Sequence, residues 1–226
     1  MNEKEQIRQE MQQAFREEMM ARFRQDQERK LTNFRQQNAY IRKGATLFTG
    51  SSLMENFPIT EYCLNEGLPT AYNRGIGGYT TDDFLAAIGP VLLDPEPSKI
   101  FLNIGTNDIR PMPEGEDWFV HLSANYRKIC GIIRDQLPEA EVFLMAYYPV
   151  NPHRENVMLQ VRTNEAIARA NKMVQGLAEE FGFRYIDVND GLKDEEGNLR
   201  IEHTADGVHF DAEAYRTVFE RLKKYL

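Results

Sequence analysis

The chain has 226 residues, a net charge of −8, a pI near 5.2 and two cysteines. That length suffices for one sizeable α/β domain with a buried core. The acidic balance argues against a general nucleic-acid binder, two cysteines make no disulfide framework, and no apolar run approaches the ~20 residues of a membrane span.

Charged residues begin at Glu3, so no apolar signal segment is read and a cytoplasmic protein is the expectation. From Glu3 to about Gln37 there is no glycine or proline, and good helix formers dominate. Ile7, Met11, Phe15, Met19 and Phe23 recur every fourth residue, followed by Leu31 and Phe34. Steps of four overshoot the 3.6-residue turn, so the stripe drifts around the helix. That pattern predicts a helix wrapped over a globular surface rather than a long coiled coil. Residues 1–43 hold ten Lys/Arg and seven Asp/Glu, a net of +3, which leaves −11 for the remainder. Residues 1–40 are therefore read as an amphipathic arm, docked on its own body or on a neighbouring subunit of a homo-oligomer. Residues 41–226 are read as the catalytic domain.

The body alternates strand and helix. Thr46–Thr49 is a short apolar strand. A helix from Pro58 through Leu64 can end at Gly67, and Thr70–Asn73 reads as a second strand. Thr81 can cap a helix through Ile88. Lys99–Ile104 is a third strand, followed by a helix from Trp118 to Leu137. Glu141–Tyr147 is the fourth strand. A long helix reaches about Glu180, with Gly182 at its end, and Arg184–Val188 is the fifth strand. Asp211 caps the last helix. Cys63 and Cys130 fall within apolar helical patterns and read as buried free thiols. Five such units predict parallel pairing, right-handed crossovers and a doubly wound, flavodoxin-like three-layer α/β/α sandwich of order 2-1-3-4-5.

In open α/β sheets, ligands bind outside the carboxyl ends of the strands. Ser51-Ser52, Gly75 to Gly78, Gly105-Thr106-Asn107, Tyr148-Pro149 and the pair Asp206/His209 each follow a predicted strand. All five segments open onto one edge. Taken singly, each has an ordinary reading: a serine pair caps a helix, Asn107 stabilises a turn, and Asp-x-x-His decorates a loop. The cluster Gly75-Ile76-Gly77-Gly78 departs from the dinucleotide fingerprint and follows the wrong strand for it. No His or Cys partner lies at metal-ligand spacing, so neither metal nor other cofactor is expected.

Together the segments fit acyl transfer. A serine hydroxyl needs an adjacent base. His209 can take the Ser52 proton and return it to the leaving alcohol, and Asp206 can orient the imidazole. Of the other histidines, His121 and His153 lie on helix patterns, and His203 is a second candidate base. Backbone N–H groups of Ser52 and Gly78, with the Asn107 amide, can form an oxyanion hole. Met54, Asn56, Arg74, Ile109, Arg110 and Tyr148 follow these segments and are candidate pocket residues.

The blocks Gly50-Ser51-Ser52-Leu53, Gly75-Ile76-Gly77-Gly78, Gly105-Thr106-Asn107-Asp108 and Asp206-Gly207-Val208-His209 resemble, in order, the four blocks of the SGNH hydrolases, the GDSL-like lipases and acylhydrolases. The resemblance spans roughly residues 44 to 226. It implies a flavodoxin-like sandwich and metal-independent ester hydrolysis through Ser52, His209 and Asp206. Ser51 stands where the family usually has an Asp, and Tyr79 where an Asp is frequent. Gly50-x-Ser52-x-Met54 lacks the second glycine of the α/β-hydrolase elbow. The expected activity is a serine esterase acting on a small-molecule ester, with a short acyl group such as acetyl, because no long apolar insertion suits a fatty chain. A non-catalytic binding or assembly module, with the arm as its contact surface, is the alternative.

Overall fold

The computed structural model describes residues 3–226, with side chains from residue 5 onward. Five strands form one parallel sheet: β1 (Thr46–Gly50), β2 (Ala71–Asn73), β3 (Lys99–Asn103), β4 (Glu141–Met145) and β5 (Arg184–Ile186), in the spatial order 2-1-3-4-5. The central strands are buried on both faces, which is why they read as continuous apolar runs.

Alternate residues face opposite layers. Leu47, Ile100, Val142 and Leu144 join one core with α4 (Thr81–Ala86), α5 (Trp118–Gln136) and α6 (Asn164–Phe181). Phe48, Phe101 and Phe143 face the other, with α2 (Ser52–Glu55), α3 (Ile59–Asn65) and α7 (Ala212–Leu222). The three phenylalanines are direct register partners and stack across the sheet at 4.5 and 4.6 Å between centroids. Cys63 and Cys130 are buried free thiols, and burial pushes the Cys130 thiol up to about 12.

Several local expectations shift. Thr80, not Thr81, caps α4: its side chain accepts from the Asp83 N–H, and the Asp83 carboxylate accepts from the Thr80 N–H. Thr81 is instead buried, with its N–H and hydroxyl given to Asp108 at 3.0 and 2.5 Å. The third, fourth and fifth strands stop one or two residues early, where the chain leaves the sheet for the loops of the upper edge.

The arm is a single helix, α1 (Glu3–Gln37), about 52 Å long at 1.5 Å per residue. It does not wrap the body along its length. Only its part from Phe23 onward packs down: Leu31 enters the first core, Phe34 leans on it, and the Asn38 amide donates to the Pro90 carbonyl. Ile7, Met11, Phe15, Met19 and Phe23 are 43–68% exposed. The four-residue steps carry the stripe around the helix, so the face that meets the body near Leu31 is not the face that carries Met11. Among the described residues, no helix is long and apolar enough to cross a membrane.

Candidate active site

Strand β1 ends at Gly50 because nothing larger fits: an added Cβ would lie 1.9 Å from the Asn103 carbonyl oxygen. The chain turns at once. The Ser51 carbonyl accepts from the N–H groups of Met54 and Glu55 at 3.1 and 2.8 Å, and α2 begins with Ser52. The Ser51 side chain makes no cap hydrogen bond. Support comes instead from Asn73 at the end of β2. Its amide nitrogen donates to the carbonyls of Met54 and Phe57 at 2.5 and 3.1 Å, and its oxygen accepts from the Gly75 N–H at 2.9 Å. One side chain thus ties the Ser52 turn to the glycine loop.

The loop after β5 returns over the same edge. The Asn156 amide donates to the Asp206 carbonyl at 3.0 Å, and Asn151 N–H donates to the Gly207 carbonyl at 2.8 Å. Asp206 accepts the His209 and Val208 N–H groups on Oδ1, at 2.8 and 2.9 Å. Its Oδ2 lies 2.6 Å from His209 Nδ1, and His209 Nε2 lies 2.9 Å from Ser52 Oγ. Burial alone would raise the Asp206 carboxyl, but the hydrogen bonds from the His209 ring and the two backbone N–H groups outweigh it and hold it at about 2. The group is therefore an anion at any working pH and accepts only; the proton on Nδ1 points to it, which leaves Nε2 free to accept from serine.

Ser52, Gly77, Gly78, Asn107 and His209 line one cleft of about 240 Å³. As the first residue of α2, Ser52 has an N–H without an acceptor one turn back. The Gly78 N–H likewise meets no acceptor among the described residues. Asn107 gives one amide hydrogen to the Tyr79 carbonyl at 3.0 Å and accepts on its oxygen from Arg162 Nη2 at 3.0 Å. Its second amide hydrogen has no partner among the described residues. Arg162 is 4% exposed, and burial pulls its guanidinium down to about 10, while Asp108 and Asp206 favour its charge.

Other expected residues lie elsewhere. His203 faces Asp211 at 3.4 Å, and the His121 ring lies 2.7 Å from Asp82; neither reaches Ser52. Met54, Ile109 and Tyr148 are core residues, and Arg74 is buried against Asn38 and the Phe34 ring. Asn56 and Arg110 are exposed outside the cleft. The walls come instead from Phe23, Asn156, Met158, Arg162 and Val208. Phe23 lies on the arm, and Asn156, Met158 and Arg162 in the connection before α6; none carries a local motif. Among the described residues no cluster of three metal-ligating side chains occurs.

The sequence profile of the GDSL-like Lipase/Acylhydrolase family matches residues 50–217. A solved structure from Streptococcus pneumonia, provisionally described as a platelet activating factor, is 31% identical over 94% of this chain and 98% of its own, with a TM-score of 0.81. A GDSL-like lipase from Bacteroides thetaiotaomicron is 18% identical, over 86% of this chain and 96% of its own, with a TM-score of 0.70. An acetylxylan esterase from Geobacillus stearothermophilus is 16% identical, over 80% and 94%, with a TM-score of 0.62. The last two likenesses are ones of fold. No curated protein matches the chain. A profile that covers most of the chain, with a relative alike over nearly its whole length, leads to one conclusion: the chain belongs to the GDSL-like Lipase/Acylhydrolase family and is an esterase of that family.

Proposed function

We propose that the protein hydrolyses esters of short acyl groups, such as acetyl, on a sugar or other small alcohol, through an acyl-enzyme on Ser52. The observation that carries this reading is the unbroken chain Ser52 Oγ to His209 Nε2 at 2.9 Å and His209 Nδ1 to Asp206 Oδ2 at 2.6 Å. His209 takes the hydroxyl proton as Ser52 Oγ bonds to the carbonyl carbon. The carbonyl oxygen becomes an oxyanion facing the N–H groups of Ser52 and Gly78 and the second amide hydrogen of Asn107. Each such donor is worth ~3 kcal/mol in the transition state. The tetrahedral adduct collapses, the C–O bond to the alcohol breaks, and His209 protonates the departing oxygen. Water then repeats the sequence and frees the acid and the serine. Asp206 stays ionised and stabilises the imidazolium.

The cleft supports the acyl length. Its apolar walls are short, Phe23, Met158 and Val208, within about 240 Å³. A fatty chain would have to leave it. The related acetylxylan esterase fold is consistent with a small acyl group on a sugar. The test is hydrolysis of a p-nitrophenyl ester series by wild type and Ser52→Ala, with matched circular dichroism. Acetate and propionate should turn over fastest, and a folded Ser52→Ala should be silent. A preference for long acyl chains would sink the short-acyl reading, and equal rates in both proteins would remove Ser52 as nucleophile.

The exposed stripe supports a second role for the arm, as the contact for a second copy of the chain. Its outer part leaves Ile7, Met11, Phe15 and Met19 49–68% exposed. Two such helices laid side by side would cover Met11, Phe15 and Met19.

A further inference from the structure

The glycine loop is held from the arm. Gln27 of α1 is 9% exposed, and its amide nitrogen donates to the Gly77 carbonyl at 2.7 Å across fifty residues of sequence. A carbonyl only accepts, so the amide can sit only one way round. One turn further along the helix, Lys30 pairs with Glu55 Oε1 at 2.6 Å, and Glu55 Oε2 accepts the Gly77 N–H at 2.5 Å. Both polar groups of Gly77 are thus fixed by α1, one directly and one through Glu55. Phe23, one turn before Gln27, rests against Gly78: a Cβ there would lie 2.5 Å from the ring. Gly78 also has a φ of +75°, so only glycine suits this point.

The Gly77 carbonyl and the Gly78 N–H belong to one peptide unit. No peptide bond among the described residues is cis, and in a planar trans peptide the C=O and N–H point in opposite directions. Holding the carbonyl on the helix side therefore aims the N–H away from the helix. Among the described residues that N–H has no partner, and it lies at the cleft it shares with Ser52.

We infer that Gln27 is a positioning residue of the oxyanion hole, and that the arm is thereby a working part of the active site. The inference rests on the esterase reading of Ser52. Without the Gln27 donor the Gly77–Gly78 peptide can rotate, and the N–H then meets the oxyanion at a poor angle. The ground-state carbonyl needs that N–H much less, so the loss falls on turnover rather than on substrate binding.

The experiment compares wild type, Ser52→Ala, Gln27→Met and Gln27→Ala. Met matches the length of Gln and lacks both donor and charge. Steady-state rates on p-nitrophenyl acetate across pH, the rate of Ser52 labelling by a fluorophosphonate, and melting temperature are read for each. Gln27→Met should lose about ten- to a hundredfold in kcat, less than the full loss of a donor. KM should stay within about threefold and the acidic limb of the pH profile should not move. Labelling should slow by a similar factor, because the phosphoryl oxygen uses the same donors. A folded Gln27→Met with kcat near wild type, or a loss confined to KM, overturns the inference. So does failure of both Gln27 variants to fold, which would make Gln27 a residue of stability alone. If Ser52→Ala is silent while Gln27→Met matches wild type, only this inference falls. If Ser52→Ala equals wild type, or wild type is neither active nor labelled, the esterase reading fails with it.

Discussion

At the scale of single residues, Asp206 shows how little sequence is needed to build a strong local anion site. Two residues, Val208 and His209, supply two backbone N–H groups and a ring N–H to its carboxylate. Replacing it with Asn keeps the shape but offers the ring the wrong tautomer, so kcat should fall roughly 10³–10⁴-fold with folding retained. The same carboxylate leaves a mark on stability. Its folded value, about 2, lies below its ordinary 3.8. Its contribution is therefore complete above about pH 4 and is lost as pH falls through 2. The group is 45% exposed, so the effect is small and screened. The difference in urea midpoint between wild type and Asp206→Asn should be constant above pH 4 and shrink below it. Arg162 makes a separate prediction. It donates to the Asn107 oxygen and so decides which end of that amide faces the cleft. Arg162→Met should lower kcat about tenfold or more with little change in KM, as expected for one oxyanion donor set loose. Nothing local in the sequence marks Arg162, because an arginine after a short turn reads as a solvated charge.

At the scale of elements, the central strands were legible because they are buried on both faces and bounded by glycine, proline or capping residues. Thr163, Gly182 and Asp211 end or start their helices where such residues should: Thr163 and Asp211 accept from the N–H three residues on, and Gly182 is left-handed. The Thr80-Thr81 pair shows the limit. The discriminating signal was Asp83, three residues after Thr80, which closes a capping box. Its removal in Thr80→Ala should cost about 1 kcal/mol, read from thermal or urea unfolding. The phenylalanine stack is a larger matter. Phe101 lies between Phe48 and Phe143, with no exposed surface. Phe101→Ala should destabilise the fold by about 3–5 kcal/mol, because a cavity at the centre of a paired sheet cannot collapse. Sequence periodicity placed these strands, but their register, and hence the stack, is a property of pairing between distant segments.

At the scale of the whole molecule, the order of the strands carries Ser52, Gly78, Asn107 and His209 to one edge, and their places in the chain made that edge visible beforehand. The arm's part in the cleft was not visible. Gln27 and Lys30 sit in a helix dense with polar residues, and there a buried glutamine looks like any solvated one. Only the long-range contacts to Gly77 and Glu55 distinguish them. The outer part of the arm predicts association: removing residues 1–20 should halve the mass measured by light scattering if a second copy covers the stripe, and an unchanged mass would reject that pairing. Such a deletion leaves Phe23 and Gln27 in place, so turnover per site should survive it.

The borders of the family signature and the borders of the working enzyme differ. The matched region opens at residue 50, beyond the whole of α1. A protein begun at β1 and carried through α7 would keep its serine, histidine and aspartate and would still look complete to any search by motif. It would lack the grip on Gly77 and the leucine that closes one core. Recombinant designs and domain swaps that begin at β1 would therefore discard the part of this enzyme that aims its chemistry, and would score the result as a weak esterase rather than as a broken one.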